Sequence, residues 1–122
     1  MFEVSVREHF DAAHFLRDYG GKCENLHGHR YEVIATVRAL EVDEIGLAFD
    51  FGELRRHVRE VLSCFDHACL NEVSPFDRVN PSSENIATTI CRELQERGLP
   101  MVQVQVFESP DSFVTYTPPK LP

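Results

Sequence analysis

Basic residues are scarce in this 122-residue chain: 12 Lys and Arg stand against 20 Asp and Glu, a formal net charge of −8 at pH 7. That balance argues against general nucleic-acid binding, which needs a basic surface to release counterions from phosphates. A phosphorylated small molecule is not excluded, because a few local cations can hold one against an acidic background. Long apolar runs are also missing, and no window approaches the ~20 residues of a membrane span. The first residues, Met1-Phe2-Glu3-Val4-Ser5-Val6, have neither the basic region nor the apolar stretch of a secretory signal, so a cytoplasmic location is expected. Paired cysteine spacings are absent. Cys23, Cys64, Cys69 and Cys91 show no Cys-x-x-Cys unit and are expected as reduced thiols. Cys64 and Cys91 fall in helical patterns and Cys69 in an apolar turn, where a small buried thiol is common. No repeat, low-complexity tract or linker divides the chain, so residues 1–122 are expected to form a single domain.

Alternating and helical patterns fill the rest. Phe2, Val4, Val6, Phe10, Ala12 and His14 share one parity, which predicts a strand. Residues 15–26 hold Asp18, Gly20, Gly21 and Asn25 and predict a loop. A second strand is expected from His27 to Leu40, with His27, His29, Tyr31, Val33, Ala35 and Val37 on one face. Asp50-x-x-Glu53 is a capping signal ahead of Leu54, Val58, Val61, Leu62 and Phe65 at helical spacing. A second helix should start near Pro81-Ser82-Ser83-Glu84 and stop at Gly98. Two short strands follow, through Val102, Val104 and Val106 and through Val114 and Tyr116. The expected architecture is α+β, in the order ββααββ, with a four-stranded antiparallel sheet and two helices inserted mid-chain. Two helices leave sheet edges open, and open edges favour pairing with further copies.

Chemistry concentrates in the first hairpin. His27 and His29, at i and i+2 on a strand, project to the same face with side chains starting roughly 6–7 Å apart. His14 closes the preceding strand, and an antiparallel hairpin brings it opposite the start of the second. Three neutral imidazoles with an open fourth position describe a catalytic zinc site rather than a closed structural one. His9 falls on the opposite strand face and His57 on the polar side of the first helix, so neither is a candidate ligand. Cys23 lies in the intervening loop, four residues before His27. Asp66-His67, just past the first helix, is a possible acid–base pair in which the carboxylate orients the imidazole.

Phe10-Asp11-Ala12-Ala13-His14 and Cys23-x-x-x-His27-Gly28-His29 resemble the zinc-binding segment of the 6-pyruvoyltetrahydropterin synthase superfamily. Phe49-Asp50-Phe51-Gly52-Glu53-Leu54, Phe65-Asp66-His67-x-x-Leu70-Asn71, Asn80-Pro81-Ser82-Ser83-Glu84-Asn85 and Val106-Phe107-Glu108 resemble further segments in the same order. The three residues between Cys23 and His27 look most like the 6-carboxytetrahydropterin synthase branch, which serves queuosine and 7-deazapurine synthesis. The resemblance implies a tunnelling fold with two helices on one face of the sheet. It makes His14, His27 and His29 ligands of Zn²⁺, and Cys23 the proton-abstracting thiolate. Asp66 and His67 become an acid–base pair, and Glu108 the anchor for a pterin's amino-pyrimidine edge. The implied substrate is 7,8-dihydroneopterin triphosphate, converted to 6-carboxy-5,6,7,8-tetrahydropterin with release of acetaldehyde and triphosphate. The implied assembly is a homohexamer of two trimers with active sites between subunits. A pyruvoyl product stays open, as does a folate-branch lyase, because Glu24 adjoins Cys23. A pterin- or zinc-binding module without turnover is a third possibility. Arg17, Lys22 and Arg30 are candidate cations for the triphosphate by proximity alone.

Overall fold

Antiparallel pairing of the first two strands organises the molecule. The computed structural model describes residues 1–122. Strand β1, Phe2–His14, and strand β2, His27–Ala39, pair without interruption from Phe2 opposite Ala39 to His14 opposite His27. Side chains alternate across a strand, so Val6, Phe10, Ala12 and His14 share a face with Tyr31, Val33, Ala35 and Val37. All eight are buried. Helix α1, Phe51–Leu62, starts where Asp50 accepts a hydrogen bond from the Glu53 amide at 3.0 Å. It turns Leu54, Val58, Val61 and Leu62 inward. Phe65 is equally buried but sits in the turn after the helix, which ends at Leu62.

Helix α2, Ser83–Glu96, is capped by the Ser82 hydroxyl, which accepts from the Asn85 amide at 3.2 Å. Gly98 takes φ +86°, a left-handed conformation that suits glycine and stops the helix. Strands β4, Met101–Ser109, and β5, Ser112–Tyr116, then form the second hairpin.

The sheet has one strand more than the sequence pattern indicates. Ala68–Cys69 form β3, parallel to Ala12 and Ala13 of β1, and the strand order is β3-β1-β2-β4-β5. The expected four-stranded antiparallel sheet is therefore five-stranded, with a parallel pair at one edge. Two residues have no period to detect, and what forms this strand is docking: the His67 amide donates to the Asp11 carbonyl at 2.7 Å. Cys69 thus lies in a strand rather than a turn, and Cys64 is exposed beyond α1 rather than buried. Cys91 is buried in α2, and all four thiols are free.

Both helices cover the same sheet face, and their apolar residues join those of the strands in one cluster of 23 buried residues. Glu8 points to that face and is matched by α1, accepting from Arg55 at 2.8 Å and from Arg59 at 2.9 Å. The opposite face is polar, with an Arg7–Glu32 ion pair and a Ser5–Thr36 hydroxyl contact at 2.8 Å. A stacked Phe107–Phe113 pair, 4.4 Å between centroids, ends it. No helix is long and apolar enough to cross a membrane. Replacing Asp50 by Ala strips α1 of its cap and should lower stability by about 1 kcal/mol. A urea titration should then show an earlier midpoint at unchanged slope.

Candidate metal centre and adjoining cleft

The register that pairs His14 with His27 also places His29 one step along the same face, so three imidazoles meet at the end of the hairpin. One ring nitrogen from each lies within 4.8 Å of those of the other two. His14 is almost fully buried, at 1% exposure, while His27 and His29 are partly buried. Two backbone carbonyls set the tautomers. His14 Nδ1 is 2.7 Å from the Pro81 carbonyl, and His27 Nδ1 is 2.6 Å from that of Asn25. A carbonyl can only accept, so each Nδ1 carries the proton and each Nε2 presents a lone pair.

Those two lone-pair nitrogens are 3.0 Å apart. They cannot hydrogen-bond to each other in this tautomeric state, and their separation is close to the about 3.3 Å between two nitrogens of a tetrahedral zinc site. His29 Nε2 is buried with no hydrogen-bond partner. An orphaned ring nitrogen beside two inward lone pairs is a donor set that fits a divalent cation. Burial holds His14 below the usual imidazole range against the pull of the Pro81 hydrogen bond, with His27 and His29 adding to the lowering. The neutral ring is the form that binds metal. Glu108 Oε1 lies 3.8 Å from His14 Nε2.

Cys23 is outside the three-histidine group. It lies half-buried in a short 3-10 turn, Lys22–Glu24, and lines a cleft of about 300 Å³ together with Glu108. Ser82, Ser83 and Glu84, at the start of α2, also line this cleft, as do the exposed rings of Tyr19 and Phe113. Sequence reasoning missed these five. The Asn80–Asn85 segment carried the signal for three of them, but as a helix start rather than a wall.

Two asparagines hold the Cys23 loop in place. Asn71 exchanges a pair of 3.0 Å hydrogen bonds with the Phe15 amide and carbonyl. Asn80 does the same with Arg17, at 2.8 and 3.0 Å. Each side chain imitates a neighbouring strand. Within the loop the Leu16 amide donates to the Cys23 carbonyl at 2.6 Å. The candidate phosphate cations divide on this geometry. The Arg17 guanidinium is directed at the carbonyls of Asn71, Phe76 and Val79. Arg30 forks onto Asp11 at 3.0 and 3.3 Å, and holds that carboxyl below its usual range. Only Arg30 of the three makes an ion pair, and Lys22 makes no side-chain hydrogen bond either.

Asp66 and His67 are adjacent in space as well as in sequence, 3.6 Å between Oδ2 and Nε2. Asp66 Oδ1 accepts from the Asp11 amide at 3.0 Å, and His67 has φ +56°. The pair is exposed at the β3 edge. His67 lines a different, more open cleft of about 530 Å³, with Asp11, Gly28 and His29. Within one chain, then, the fold gathers His14, His27, His29, Glu108 and Cys23 around one end of the sheet. It leaves Asp66 and His67 on another surface.

Comparison with known proteins shows the family. The model of the family described as 6-pyruvoyl tetrahydropterin synthase matches residues 3–119. The chain belongs to that family. A putative 6-carboxy-5,6,7,8-tetrahydropterin synthase of Archaeoglobus fulgidus is 37% identical over 110 residues, covering 90% of each chain. The 6-carboxy-5,6,7,8-tetrahydropterin synthase of Bacillus subtilis is 36% identical over 130 residues, covering 98% of this chain and 87% of the relative. Among solved structures, the 6-pyruvoyl tetrahydropterin synthase of Caenorhabditis elegans superposes with a TM-score of 0.85 at 27% identity, over 96% and 95% of the two chains. The family is one of enzymes of the lyase type, and the α+β fold is its fold.

Asn71 gives the sharpest test of how this site is built. Asn71→Ala leaves the Phe15 amide and carbonyl unpaired and should cost about 1–3 kcal/mol, the price of stranding buried polar groups. Thermal denaturation should show the loss, and proteolysis should cut first within residues 15–25.

Proposed function

We propose that this protein is a zinc-dependent 6-carboxy-5,6,7,8-tetrahydropterin synthase. Its substrate would be 7,8-dihydroneopterin triphosphate, with acetaldehyde and triphosphate released, in the cytoplasm and in the service of 7-deazapurine synthesis. The observation that carries this reading is the placement of Cys23 and Glu108 in one cleft, with Glu108 3.8 Å from His14. An ion bound by the three histidines would stand beside the ring anchor, at a cleft that also holds the base. The relatives at 36–37% identity that carry the carboxy name support that product class.

His14, His27 and His29 would hold Zn²⁺, with the fourth position open to the substrate. The metal supplies Lewis-acid polarisation of the substrate's side-chain oxygens, which acidifies the neighbouring C–H. Glu108 accepts two parallel N–H bonds from the amino-pyrimidine edge and so fixes the ring in its plane. Cys23, as thiolate, takes the proton from the side-chain carbon; a nearby cation favours that ionised form. Asp66 holds the His67 tautomer, and His67 returns a proton. Because His67 lines a different cleft from Cys23, the pair would serve the Cys23 cleft of a neighbouring subunit. That arrangement supports an assembly with active sites between chains, as in a hexamer of two trimers. A folate-branch reading would make Glu24 the base, and here Cys23 rather than Glu24 lines the cleft.

Incubating the zinc-loaded protein with dihydroneopterin triphosphate should yield acetaldehyde and a 6-carboxy pterin in equal amounts. A pyruvoyl product, or no turnover, would sink the assignment. Cys23→Ala should lower kcat by about 10²- to 10⁴-fold, the usual worth of a positioned base. Its zinc content, measured by elemental analysis, should be unchanged; a binding module without turnover would show no kinetic difference. His29→Ala should reduce bound zinc sharply while leaving the fold intact by circular dichroism.

A further inference from the structure

Tyr31 is fully buried, at 0% exposure, and its hydroxyl has no hydrogen-bond partner. A buried O–H without a partner is a cost to the folded chain. Phenylalanine would fill the same space without that cost. The ring is accounted for: it stacks on Phe10 at 4.9 Å, and Phe10 in turn meets Phe65 at 5.8 Å. The oxygen is not. Its surroundings are the site just described. Tyr31 stands edge-on to His14 and His29, with ring centroids 5.7 and 5.4 Å apart.

Glu108 is the other neighbour. The β2–β4 register pairs Glu32 with Phe107. Continuing it by one residue sets Tyr31 beside Glu108, and strand parity turns both side chains toward the helix-covered face. Glu108 is only partly buried and makes no hydrogen bond of its own; its nearest titratable contact is the neutral His14 ring. An anchoring carboxylate that must receive two parallel N–H bonds needs its plane set before the ligand arrives. Nothing else among its contacts does this.

We infer that Tyr31 is a positioning residue, whose buried hydroxyl donates to the Glu108 carboxylate and orients it toward the ring edge of the ligand. The role rests on the pterin reading of the cleft and adds to it the group that sets its ring anchor. The bond joins a neutral donor to a charged acceptor. Tyr31 is not among the three candidate metal ligands. Its loss should therefore weaken ring binding and spare metal binding.

Tyr31→Phe tests this with two opposed readouts. The zinc-loaded variant is titrated with neopterin, a fluorescent pterin, and melted without ligand. Affinity for neopterin should fall about ten-fold, while zinc content stays at the wild-type level and the melting temperature without ligand shifts by no more than a few degrees. Unchanged affinity, or a loss of bound zinc, would overturn the inference by showing that the hydroxyl does not act on the ring anchor. A second variant isolates the route. In a Glu108→Gln background, Tyr31→Phe should add little further loss; full additivity would show that Tyr31 does not act through Glu108. Should the wild-type protein itself fail to bind neopterin, the pterin reading falls, and this role falls with it.

Discussion

Everything at the functional end of this protein depends on the register between β1 and β2. Thirteen consecutive residue pairs, ending with His14 against His27, make a continuous two-stranded ribbon. A slip of one residue would send His14 to the polar face and break up the histidine set, because side-chain direction has a period of two. The register is protected by burial. Val6, Phe10 and Ala12 of the same strand would turn to solvent with that slip. The hydrophobic core and the donor cluster are therefore specified by one alternation, and the chain cannot keep one while losing the other.

What the ribbon does not supply, carbonyl groups do. The Pro81 and Asn25 carbonyls accept hydrogen bonds from the Nδ1–H groups of His14 and His27 and leave both Nε2 atoms with free lone pairs. Pro81 comes from the segment that caps α2, so helix packing and imidazole tautomer are set together. The Asn71 and Asn80 bridges act likewise on the 15–26 loop, tying Cys23's neighbourhood to segments more than fifty residues away. Each of these contacts satisfies backbone groups that a solvent-exposed loop would leave to water, and each removes freedom from the cleft wall.

The apolar alternation of β1 and β2, the caps at Asp50 and Ser82 and the stop at Gly98 were legible in the sequence because they are local: period, cap and turn chemistry act within a few residues. The histidine trio was legible for the same reason, since parity and hairpin pairing determine which side chains share a face. The Cys-x-x-x-His-Gly-His spacing and the later segments extended this to the family, and the comparisons agree. Strand β3, by contrast, is two residues long and exists only because His67 docks on Asp11. The burial of Phe65 was foreseen, but its place beyond the helix was not. Arg17 looked like a phosphate cation by proximity, and only its three carbonyl partners reveal it as a brace for the loop.

By itself, then, the sequence determined the helix and strand pattern, the face on which each histidine lies and the family to which the chain belongs. Those are properties of short-range geometry. Tertiary structure decided which ring nitrogens point inward, that Cys23 and Glu108 share a cleft, that Asp66 and His67 face elsewhere, and that the Tyr31 hydroxyl is stranded. Each depends on groups brought together from distant parts of the chain, where hydrogen-bond partners and burial exist only once the core has closed.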